Sequence, residues 1–72
     1  MSDAPVFEVF ARVNETDPLS HLGCIHAANK ELAIAQGRMT YSEKPWSEMI
    51  IVQRDDIIPV IKSRGGSIVG FA

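Results

Sequence analysis

Residues 6–13 read Val-Phe-Glu-Val-Phe-Ala-Arg-Val, and this alternation constrains the fold more than any other feature of the chain. A strand turns successive side chains to opposite faces. Phe7, Val9, Ala11 and Val13 therefore share one face, while Val6, Glu8, Phe10 and Arg12 share the other. Such a segment belongs in a sheet, and the whole chain has 72 residues in which to build and cover it. That is the size of one domain, burying roughly 60% of the surface its unfolded form exposes. Domains this small usually draw on a disulfide, a metal or a partner surface for added stability. Cys24 is the single cysteine, and His21 and His26 are the only histidines. Neither an intramolecular disulfide nor a closed four-ligand zinc site can form from that set, which leaves a partner as the expected source.

Turn formers crowd residues 14–18, where Asn14 and Asp17 can bond their own backbone and Pro18 presets φ. A second strand is expected over 19–27, with Gly23 marking a bulge or a close approach. Asn29 is a suitable N-cap, and a helix is expected from 30 to about 43 because Pro45 forbids continuation. At 100° per residue, Ala33, Ile34, Gly37, Thr40 and Tyr41 fall on one arc of that helix, and Leu32 and Met39 on a neighbouring arc. Only Glu31, Arg38 and Ser42 define a polar sector, so the apolar surface exceeds what one small sheet covers. The β-branched run in 48–54 reads as a central or well-covered strand. Residues 55–61 suit a helical turn or short extension broken by Pro59, residues 62–66 a turn, and residues 67–71 a short edge strand or arm. The expected fold is a small α+β domain over 1–72, in β-β-α-β order, with one helix on an antiparallel sheet and flexible ends at 1–5 and 62–72.

Composition narrows the function. Apolar residues make up 46% of the chain and charged residues 22%, a globular rather than disordered balance. The net charge of −2 comes from mixed signs without a basic stripe, so nucleic acid is not an expected partner. No apolar run approaches the roughly 20 residues that span a bilayer, and the start Met-Ser-Asp-Ala-Pro lacks the basic and apolar regions of a secretory signal. A cytoplasmic protein without a membrane segment is expected.

No set of side chains reads as an active site. His21 and His26 lie five positions apart, which puts them on opposite faces of a strand unless Gly23 bulges the chain and resets its phase. Structural or interface histidines are the expectation, and Cys24 between them is expected as a small buried hydrophobe. A ferritin-like di-iron site needs several Glu residues and Glu-x-x-His pairs on a helix bundle, and this chain offers one helix and no such pair. Ser20 beside His21, and Asp55 beside Asp56, are adjacent without forming a triad or dyad. Arg64-Gly65-Gly66-Ser67 has neither the glycine spacing nor the context of a phosphate loop. No catalytic, cofactor-binding or metal-binding residue is expected, and no cofactor. Trp46, just past the helix-ending proline, either caps the core or stands at a contact surface.

The pattern as a set is that of a known family. Glu8, Val9, Phe10 and Arg12, then Leu19, Ser20 and His21 leading to Gly23, His26 and Ala27, then Ala33, Arg38 and Tyr41 on the helix, resemble the small B subunit, PaaB, of the phenylacetyl-CoA epoxidase (phenylacetate-CoA oxygenase) complex. The likeness runs from residue 6 to about 58. It implies a non-catalytic, bridging subunit without metal, beside a ferritin-like catalytic subunit that carries the di-iron centre, a second, structural ferritin-like subunit, and a separate reductase. A self-contained homodimeric α+β module for binding or regulation is the alternative. On either reading a homodimer is expected. Leu32, Met39 and Trp46 are expected at the partner surface, and Ala33, Gly37 and Tyr41 against the chain's own sheet.

Overall fold

The computed structural model describes residues 4–61. Strand β1 (Val6–Arg12) is followed by β2 (Ser20–His26), helix α1 (Lys30–Thr40), strand β3 (Glu48–Gln53) and a single 3-10 turn at Arg54–Asp56. The three strands form one antiparallel sheet in the order β2-β1-β3, so the alternating segment is its centre. The α+β class and the β-β-α-β order expected above are what the chain adopts. The expected turn at 62–66 and the strand or arm at 67–71 lie outside the described residues.

Local chemistry sets the boundaries. Asp17 N–H donates to Asn14 O at 3.0 Å and closes the β1-β2 turn, which Arg12 Nη1 braces by donating to Asp17 O at 3.1 Å. Asn29 is extended and its Oδ1 accepts from Leu32 N–H at 2.9 Å, satisfying one of the unpaired donors that begin a helix. The helix ends at Thr40, earlier than Pro45 requires, because Tyr41 leaves helical geometry at φ −113° and ψ 55°. Its N–H still caps Gly37 O at 3.1 Å, and its own carbonyl accepts from Trp46 Nε1 at 2.5 Å. The indole thus folds the segment after the helix back onto the helix end.

Helix α1 covers one face of the sheet. Phe7, Val9, Ala11, Ile25, Ala27 and Ala33 are buried there, with Leu22, Tyr41, Met49 and Ile51 packed around them. Fully burying a side chain such as Phe7, Val9 or Ile25 contributes about 1.5–3 kcal/mol. The helix presents its small residues to the sheet: Ala33 and Gly37 are buried, whereas Ile34 and Thr40 of the same expected arc are exposed. A Cβ on Gly37 would stand 3.3 Å from Ile25 Cδ1 and 3.9 Å from Met49 Sδ, so the absent side chain sets how closely the helix lies.

Two expectations need correction. Among the described residues strand β3 stands at the edge of the sheet, pairing with β1 alone, and Ile50 on it is exposed, where a central or well-covered strand is expected. Cys24 is exposed rather than buried, because it faces away from the helix, opposite Glu8 in the register.

Candidate functional site

A bulge gives its character to the sheet face opposite the helix, which no other helix or strand of the described residues covers. Val9 pairs with Gly23 and Phe10 with His21, leaving Leu22 as the extra residue of β2. An inserted residue reverses the phase of alternation beyond it. Leu22 accordingly packs against the core, and His21 pairs beside Phe10 instead of turning under the helix. His21, Cys24 and His26 therefore all lie beside outward positions of β1, opposite Phe10, Glu8 and Val6. The condition attached to the two histidines is met: they share a face.

Glu8 stands at the centre of that face and is only 2% exposed. Its Oε1 meets His21 Nε2 at 2.6 Å, and its Oε2 accepts from Arg54 Nε at 2.5 Å. Burial opposes the charge of Glu8, but the hydrogen bonds from His21 and Arg54, with their charges, outweigh it and hold the carboxyl below its ordinary value. A carboxylate can only accept, so the proton on this contact belongs to His21 Nε2. The bond to Glu8 in turn holds the Arg54 guanidinium above its ordinary value, against a smaller opposing effect of burial. Phe10 tilts at 49° over the imidazole, with ring centroids 5.0 Å apart. At one end of the face Arg12 Nη2 binds Glu48 Oε1 at 2.5 Å.

Of the motif residues, the fold brings Glu8, Phe10, Arg12, His21 and His26 onto the face opposite the helix. Gly23 and Tyr41 meet on the covered one, where the Tyr41 hydroxyl fills the place of a Gly23 side chain. Ser20 and Arg38 are exposed, at the start of β2 and in the last helical turn. Leu32 and Met39 stand out from the helix at 49% and 78% exposure, and Trp46 is half-buried. Arg54 was not among the sequence candidates, although it completes the Glu8 cluster from 46 residues away. The available signal was indirect: a Glu in the middle of a core strand requires a cation.

Chemically, both oxygens of Glu8 are engaged, so the cluster holds its charge rather than offering it to a substrate. Among the described residues no three His, Cys, Asp or Glu side chains group so as to hold a metal ion. No helix among them is long and apolar enough to cross a membrane.

These features define a small α+β domain with one sheet face under a helix and the other, which no helix or strand among the described residues covers, built around a buried ion cluster. A family model described as phenylacetic acid degradation B, PaaB, matches residues 3–69, and the chain belongs to that family. No curated protein and no solved structure matches it. Membership ties the chain to the degradation of phenylacetic acid.

Proposed function

We propose that this chain is a non-catalytic, bridging subunit of a multicomponent di-iron oxygenase acting on phenylacetyl-CoA or a related aromatic acyl-CoA. It works in the cytoplasm as a homodimer, beside a ferritin-like catalytic subunit that holds the iron and a ferritin-like structural subunit. The observation that carries this reading is the family match over residues 3–69. The surface supports it: Leu32, Ile34 and Met39 project from the helix, and Ile58, Val60 and Ile61 after β3 are 85%, 94% and 91% exposed. Apolar area left in water costs about 25 cal/mol per Å² relative to burial, and exposed patches of this kind mark association surfaces. The engagement of both Glu8 oxygens supports a structural role for the ion cluster.

Co-expression of the tagged chain with untagged products of the neighbouring genes tests the reading. The expected result is a stoichiometric complex with two larger subunits, and no acyl-CoA-dependent oxygen consumption by this chain with the reductase alone. Failure to retain those subunits, or turnover by the isolated chain, overturns it.

A further inference from the structure

A cavity of about 420 Å³ opens beside the end of α1, where Tyr41, Trp46 and Met49 provide apolar walls. Three features of its lining point to one kind of occupant. The indole is held in place by its Nε1 bond to Tyr41 O, so the apolar wall is fixed before anything binds. Two cations, Arg38 and Lys44, line the cavity. Arg38 complements the negative end of the helix, and Lys44 Nζ lies 5.8 Å from the centre of the Trp46 ring, yet neither forms an ion pair with a carboxylate of the described residues. The carboxylate that does line the cavity, Glu48, is taken by Arg12. A rigid aromatic wall beside two cations that no carboxylate of the described residues pairs is complementary to a carboxylate next to an apolar group.

The shape decides between a small molecule and a protein segment. Small-ligand pockets bury most of their ligand, whereas Arg38, Lys44 and Glu48 are all exposed, leaving this cavity as an open groove at the surface. A side chain entering it would be covered on its outer side by the rest of its own chain. We propose that the groove between Arg38, Lys44 and Trp46 receives an acidic segment of a ferritin-like partner subunit. An Asp or Glu of that segment lies between the two cations, and an apolar neighbour rests on Trp46 and Met49. This rests on the bridging role proposed above and adds the chemistry of the contact.

The test uses the co-expressed complex with Arg38→Glu/Lys44→Glu in this chain. Both side chains are exposed, so the isolated variant is expected to stay folded, with its melt lowered by the loss of the Arg38 charge at the helix end. Trp46 is the single tryptophan, and a fluorotryptophan label there reports occupancy of the groove by ¹⁹F resonance. The expected result is a shift of that resonance when untagged partner subunits are added to the wild type, together with an affinity that falls as salt is raised. Charge reversal should weaken binding at least about tenfold, by the like-charge cost at an interface, and abolish the shift. Wild-type binding with no ¹⁹F shift, or a variant that binds as tightly and with the same salt dependence, overturns the groove while leaving the bridging role standing. Absence of binding by the wild type overturns the bridging role itself. A shift produced equally by phenylacetate alone at millimolar concentration overturns the protein occupant in favour of a small carboxylate.

Discussion

The hydroxyl of Tyr41 occupies the position in which a side chain on Gly23 would begin, so the strand next to the bulge and the end of the helix are fitted to each other across the core. The Tyr41 ring carbon bearing that hydroxyl would stand 3.5 Å from such a Cβ, an ordinary contact. Removing the hydroxyl should therefore relieve the contact with a methyl group at Gly23, while the φ of 159° there leaves a backbone strain that no change at Tyr41 removes. Gly23→Ala is expected to lower stability by about 1–3 kcal/mol through overpacking, and Gly23→Ala/Tyr41→Phe to recover part of that loss. Urea melts of the two single variants and the double variant measure the coupling. Additive losses would show that the hydroxyl is not the obstacle.

The Glu8 cluster makes stability depend on pH in a direction that its geometry fixes. The folded carboxyl titrates below its ordinary value of 4.5, so its stabilising contribution is complete above that value. It is lost as pH falls from there through the folded value. Glu8→Gln leaves one acceptor where two donors converge and should cost about 1–3 kcal/mol near neutral pH. It should also flatten the loss of stability on acidification below pH 4.5, which melts taken between pH 7 and pH 3 would reveal. Arg54→Met leaves the buried carboxylate with His21 alone. It should cost more than Glu8→Gln at neutral pH, since an uncompensated buried charge is the dearer outcome.

Features written into consecutive residues were legible in the sequence. The alternation in β1, the Asn29 cap and the turn at 14–18 depend on neighbours a few positions away, and each stands where expected. The small residues Ala33 and Gly37 likewise meet the sheet as the helical period implies. The bulge at Leu22 was legible only as a possibility attached to Gly23, because it is defined by the strand opposite. With the bulge went the placement of His21. Cys24 was misplaced for another reason: its apolar character suggested the core, while its pairing with Glu8 put it on the face opposite the helix. Arg54 could not be assigned because its partner lies on the first strand. Likewise, the β-branched run of β3 suggests burial in any sheet, but its position at the edge among the described strands follows from strand order.

Gly37 offers the counterpart to Gly23 and separates close packing from an absolute block. A Cβ there would meet the tip of Ile25 at 3.3 Å and Met49 Sδ at 3.9 Å, both of them ends of side chains rather than backbone. Ile25 Cδ1 needs to yield only a few tenths of an ångström, and alanine is better than glycine inside a helix by about 0.8–1.0 kcal/mol. Gly37→Ala is therefore expected to stabilise the fold by about 0.5 kcal/mol. Gly37→Leu brings a branched side chain to the same place, and the helix must move off the sheet or Ile25 and Met49 must leave their positions. That variant should lose about 1–3 kcal/mol. Opposite signs for the two substitutions in parallel urea melts are the expected outcome. A neutral Gly37→Leu would mean that α1 is free to shift on the sheet, and that the small residues of its inner face do not set its height.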